Sequence, residues 1–160
     1  MTDNDKKFMS RAIELSEWTS IVQSAGGVFG TVIVQDGKIL AEGANRVVAE
    51  NDPTWHGEME AIRKACKAEG SFKLRDATLY TSAEPCPMCM AAAYWAGIKT
   101  IYYASTNADA LEYGDFDDSM IFDELKKPTD ERSIPCHQMM REEAVEVWKK
   151  YKSKEDRVPY

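Results

Sequence analysis

The chain has 160 residues, 44% of them apolar and 29% charged, with 27 acidic against 20 basic side chains and a net charge of −7. That is the composition of a globular chain large enough for one good core. Its acidic balance argues against a broad phosphate-binding surface, and so against nucleic acid as a partner. No apolar run approaches the roughly 18 residues of a membrane span, and the start "MTDNDKKF" lacks the apolar stretch of a signal peptide. Four cysteines in such a chain fit the cytoplasm, with metal binding or catalysis favoured over disulfides.

In chain order, residues 6–24 place Phe8, Met9, Ala12, Ile13, Leu15, Thr19 and Val22 at helical spacing, and "GG" at 26–27 ends that helix. "GTVIVQDGKILAEG" reads as a hairpin around an Asp36-Gly37 turn. "ANRVVAENDPTW" reads as a polar loop. "HGEMEAIRKACKAEG" is a helix with Met59, Ile62, Ala65 and Cys66 on its buried stripe and Gly70 as its stop. A strand at 77–82, a helix over "PMCMAAAYWAG" and a strand at 99–105 follow. Beyond them the pattern predicts an acidic loop at 107–118, a short helix at 119–127, a strand at 133–139 and a final helix from about 141. Strand–helix–strand units favour parallel pairing by right-handed crossovers, giving one mixed sheet with helices on both faces. Ligands in such sheets lie beyond the carboxyl ends of the strands, among helix N-termini.

Two of those N-termini carry chemistry. Cys86 and Cys89 open a helix in "EPCPMCM", where Pro87 suits the first helical position. Residues three apart share a helix face, and the positive helix end favours thiolates. A C-x-x-C by itself can be half of a zinc site, a redox pair, or two buried cysteines. His56, one of two histidines in the chain, opens the preceding helix, and the three together make an N/S set suited to zinc. Cys66 lies ten residues along the helix from His56, roughly 15 Å away. Cys136 and His137 stay open as a fourth donor, but three ligands with a free position is the pattern of a catalytic site. Glu58, two residues from His56, is either a favourable first-turn acid or the carboxylate that takes a proton from an activated water and passes it to a leaving amine.

"HGE" at 56–58 and "PCPMC" at 85–89 match the H-x-E…P-C-x-x-C signature of zinc nucleobase deaminases. With "DGKILAEGANRV", "NDPTWHGEMEAIRKACK", "LYTSAEPCPMCMAAAYWA" and "FDDSMIFDELKKPTDERSIP", the chain resembles the cytidine deaminase superfamily nearly end to end, and within it the bacterial guanine deaminases. The resemblance implies an α/β protein, a three-layer α/β/α fold with a central mixed sheet of about five strands, forming one domain over 1–160. It implies one zinc per chain on His56, Cys86 and Cys89, with Glu58 as proton shuttle. Asn45, Phe29 and Trp95 are expected to line the base pocket, and Asp118 of "FDDS" to lie near the purine amino group. Tyr160 is expected to close the pocket of a partner in a homodimer swapped through residues 141–160. The implied reaction is hydrolytic deamination of a free amino-purine, guanine to xanthine plus ammonia. Deamination of another free base or nucleoside (guanosine, cytosine, a triazine analogue), deamination of tRNA adenosine, and a non-catalytic zinc-stabilised module are the alternatives. Val28 for the usual proline, Gly57 for the usual alanine, Ala83 for a common cysteine and a slightly longer "YGDFDDS" loop depart from the pattern, and bear on the base more than on the chemistry.

Overall fold

The computed structural model describes residues 2–158. It divides the chain into a unit ending at Ser119 and a second beginning at Met120. The first unit opens with α1 (Asp3–Glu17), started by a capping box between Thr2 and Asp5 and continued by a π-helical turn at Trp18–Val22. β1 (Gly30–Gln35) and β2 (Lys38–Ala44) form the expected hairpin. Its turn residues Asp36 and Gly37 have φ of 50° and 72°, the positive values that an Asp-Gly hairpin turn needs. α2 (Val47–Glu50), α3 (Gly57–Glu69), β3 (Thr78–Ala83), α4 (Pro87–Ala96), β4 (Thr100–Ser105) and α5 (Asn107–Gly114) follow.

The sheet order is β2-β1-β3-β4, antiparallel except for the β3–β4 pair. Side chains alternate across it, so the two faces take different partners. Val32, Val34 and Tyr80 pack under Phe8, Ala12 and Leu15 of α1. Ile33, Ala41 and Leu79 pack against Ala61, Ile62 and Ala65 of α3 and Ala96 of α4. The result is the expected α/β/α layering. At about 25 cal/mol per Å² of apolar area, these two clusters are the main stabilising term. Two glycines let helix and sheet approach closely. A Cβ at Gly43 would fall on the carbonyl oxygen of Gly57, and one at Gly30 on that of Ala12.

Four expectations are corrected. The sheet has four strands among the described residues, not about five. Residues 133–139 hold no strand, because Pro135 has no N–H to give a ladder. Within the supposed acidic loop, residues 107–114 form α5. Its acidity misled: Asp109 is the third position of a capping box whose carboxylate accepts from Thr106 N at 2.8 Å. The 44–55 loop likewise contains the single turn of α2.

The second unit holds most of α6 (Ser119–Lys126) and all of α7 (Arg141–Ser153). No helix among the described residues is long and apolar enough to cross a membrane.

Candidate active site

Both metal-ligand candidates that begin helices are N-caps. His56 precedes α3 in extended backbone (φ −80°, ψ 155°), and Cys86 precedes α4 in the same conformation (φ −65°, ψ 168°), with Pro87 next. Extended N-cap backbone turns the side chain towards the helix mouth. Cys89, one turn on, comes to the same spot. His56 Nδ1 lies 3.6 Å from Cys86 Sγ and 3.5 Å from Cys89 Sγ. Within the first unit no other described His, Cys, Asp or Glu joins these three. The spacing fits zinc. A tetrahedral ion with Zn–N of about 2.0–2.1 Å and Zn–S of about 2.3 Å sets its N and S ligands about 3.6 Å apart.

The electrostatics agree. Hydrogen bonding from Cys89 and His56 pulls the Cys86 thiol down to about 4. Cys89 is pushed up by the bond to Cys86 and by burial. The two sulfurs thus share one proton, which a cation would displace. The Cys86 thiolate in turn holds His56 above its ordinary value, against burial.

Glu58 sits in the first turn of α3, 4% exposed. Burial raises its pKa, and the negative Cys86 adds to the rise. The Thr81 hydroxyl of β3 approaches Glu58 Oε1 at 3.4 Å, and Thr31 of β1 donates to Thr81 at 3.2 Å. The register that pairs Thr31 with Thr81 delivers this hydroxyl chain.

His56, Glu58 and Cys86 line a cavity of about 220 Å³ with Phe29, Asn45, Glu84, Phe116 and Asp118. That is below the roughly 300–1,000 Å³ of pockets for drug-sized ligands, and suits one small molecule. Asp118 is half-buried there, its carboxyl raised by burial and by the Cys86 charge. Phe29 and Phe116 meet edge to face, centroids 5.2 Å apart. A larger cavity, about 360 Å³, lies behind these rings. It is mainly apolar, with Ile13, Ala104, Ala110 and Tyr113 in its wall, and reaches none of the three metal-ligand candidates.

The structure therefore brings His56, Glu58, Cys86, Asn45, Phe29 and Asp118 to one cavity, with Cys89 beside it. It does not bring Trp95, which is 64% exposed. Six residues beyond Cys89, Trp95 is turned about 240° around α4 and points away from the metal-ligand face. Tyr160 lies outside the described residues. Phe116 and Glu84 were not foreseen, although both border quoted motifs: Phe116 opens "FDDS" and Glu84 precedes "PC". Glu84, in the cavity wall, is tied to the start of α5, its carboxylate accepting from Asn107 N at 3.1 Å.

A layered α/β/α fold with His-Cys-Cys and a buried glutamate at paired helix mouths defines a zinc-type deaminase. Residues 2–105 match the family of the cytidine and deoxycytidylate deaminase zinc-binding region, and the chain belongs to it. Guanine deaminase of Bacillus subtilis (strain 168) is 47% identical over 156 residues, covering 96% of this chain and 99% of that protein. The X-ray structure of guanine deaminase from Bacillus subtilis matches with a TM-score of 0.92 at 45% identity, over 100% of this chain and 99% of that one. A tRNA-specific adenosine deaminase of Agrobacterium fabrum (strain C58 / ATCC 33970) is 45% identical over 87 residues, covering 53% of this chain and 57% of that protein.

Proposed function

We propose that this chain is a zinc-dependent hydrolase that deaminates free guanine to xanthine and ammonia. The observation that carries the reading is the buried Glu58 carboxyl beside the His56–Cys86–Cys89 cluster, in a cavity of about 220 Å³ that also holds Asn45 and Asp118. The end-to-end likeness to the Bacillus guanine deaminase supports the choice of base.

His56 Nδ1 and the Cys86 and Cys89 sulfurs would hold one zinc per chain. When bound, zinc supplies Lewis acidity that lowers the pKa of a coordinated water to about 7. Glu58, whose burial favours the protonated form, accepts a proton from the attacking water. It delivers that proton to the ring nitrogen, then takes the proton of the hydroxyl newly bonded to C2 and passes it to the departing exocyclic amine. Water adds at C2 and the C2–N bond breaks, so guanine plus water gives xanthine plus ammonia. Asn45 donates to an acceptor on the base, and Asp118 accepts from its amino edge. Phe29 and Phe116 wall the cavity and keep bulk water from the reacting atoms.

A tRNA substrate is disfavoured by the net charge of −7 and by the half-length match to the tRNA-specific relative. An ammonia-release panel tests the reading. Guanine should turn over faster than guanosine, cytosine, cytidine, a triazine analogue or tRNA. Faster turnover of cytosine would overturn it, and zinc-replete protein inert across the panel would mark a structural zinc module.

The same reading makes the chain a single deaminase domain that works as a homodimer, swapped through residues 141–160. Supporting it are exposed apolar side chains in both units: Tyr94, Tyr102 and Tyr103 in the first, Met139, Val147 and Trp148 in the second. Free thiols on all four cysteines suit a reducing compartment, the cytoplasm.

A further inference from the structure

Asn45 is held at nearly every polar atom it has. Its N–H donates to Phe29 O at 2.8 Å. Its side-chain Oδ1 accepts from Gly27 N at 3.1 Å and Val47 N at 3.2 Å. Two backbone donors fix which end of the carboxamide is oxygen. The amide Nδ2 is then the remaining donor. It has no protein acceptor among the described residues, on a side chain 4% exposed in the wall of the site cavity.

The last group, the Asn45 carbonyl, accepts from the Thr19 hydroxyl at 2.6 Å. Thr19 is fully buried and stands 26 residues earlier, in the π-helical turn that ends the first helix. Single π-helical turns are rare and frequently found at functional sites. Thr19 grips the loop with a second atom. Its carbonyl accepts from Ala25 N at 2.8 Å, and Ala25 O accepts from Val48 N at 3.1 Å and Ala49 N at 2.9 Å. Val47 and Val48 line the same cavity. Gly26 completes the fit, for a Cβ there would fall on Asn45 Oδ1.

We infer that Thr19 is a positioning residue for substrate recognition: from the π-helical turn it fixes Asn45, and so aims the Asn45 amide N–H donor at an acceptor oxygen or ring nitrogen of the bound base. This rests on Asn45 as a base contact in the proposed reaction. A contact made equally in the ground and transition states sets KM more than kcat. A mis-set donor forfeits one hydrogen bond in a dry site, which is about tenfold.

The test uses the full chain loaded with zinc. Thr19→Val keeps the shape and removes the donor; Thr19→Ser keeps the donor. Thr19→Val should raise KM for guanine about tenfold with kcat within about twofold and zinc content unchanged, and Thr19→Ser should restore KM. In an Asn45→Ala background, Thr19→Val should add less than about twofold, because no amide is left to aim. An equal added loss in that background, or a Thr19→Ser variant no better than Thr19→Val, would overturn the inference. The ¹⁵N spectrum reads positioning without turnover. The side-chain NH₂ pair that vanishes in Asn45→Ala should shift or broaden in Thr19→Val and stay in place in Thr19→Ser. An unmoved pair in Thr19→Val overturns the inference even if guanine is not the substrate, whereas a wild-type chain inert on guanine defeats the proposed reaction alone.

Discussion

Glu58 serves two opposed demands, and its variants separate them. Burial favours the neutral carboxyl, yet proton transfer needs it to ionise. In metal-free protein its raised pKa makes the folded state bind the proton more tightly than the unfolded state. That contribution to stability is full below the ordinary value of 4.5 and is lost as pH rises through the folded value. Glu58→Gln should therefore raise the apoprotein Tm at pH 7 relative to wild type, keep zinc binding, and lower kcat by at least about 10³-fold. Near-normal turnover in that variant would reduce Glu58 to a helix-start residue. Cys89→Ala should weaken zinc by more than the about 10–100-fold typical of outer-shell partners, measured by competition with a chelator. Full occupancy would remove Cys89 from the site. These residues were legible in the sequence because metal ligation needs rare side chains at fixed spacing, and helix starts supply the spacing. Thr19 and Phe116 were not, since a threonine at an apolar helical position and a phenylalanine in a loop gain their roles only from what folds against them.

At the scale of elements, the site depends on how closely α3 lies on β2. Gly43 permits that approach, and a Cβ there would fall on Gly57 O and within 2.6 Å of Ala61 N. Gly43→Ala must push the start of α3 outward, and His56 moves with it. The expected cost is about 1–3 kcal/mol of overpacking, read as a Tm fall of about 2–4 °C per kcal/mol, together with weaker zinc binding. Gly37→Ala is the control. Its φ of +72° makes alanine strained, about 1–2 kcal/mol, but nothing lies within 4 Å of the added Cβ. It should lose stability without losing zinc. Equal zinc affinity in both variants would sever the link between the β2–α3 approach and the metal site. The hairpin and the helices bearing the motif were readable, because period-2 and period-3.6 patterns and Gly stops are local signals. The strand expected at 133–139 was misread because β-branched and apolar residues around Pro135 imitate a strand that Pro135 cannot pair. The helix at Asn107–Gly114 was missed because its capping acid counted as loop charge.

For the whole molecule, the proposed swapped dimer makes a demand that residues 157–160 can test. α7 leaves Val147 and Trp148 65% and 69% exposed, apolar surface that a partner could cover. The chain beyond α7 turns back on it: the Tyr151 hydroxyl donates to Val158 O at 3.0 Å, and the Arg157 guanidinium sits 6.0 Å from the centre of the Tyr151 ring. A tail tied to its own helix travels with that helix wherever the helix docks. If α7 docks on a second copy, Tyr160 can act as a lid there, shutting water out of a site it does not share a chain with. Deleting residues 157–160 should leave zinc content and fold intact. It should cut kcat/KM by about 10–100-fold, the equivalent of burying one aromatic side chain. Mixing that truncated chain with Glu58→Gln chains then decides the geometry. Swapped dimers unite an intact Glu58 with an intact tail, and equal random pairing should restore roughly a quarter of the sites. Lids that close their own chain's site would restore none, since every chain would lack either the glutamate or the tail. Co-expressing the two chains with different affinity tags and purifying through both isolates the mixed dimer, so an inactive doubly tagged dimer would refute the swap.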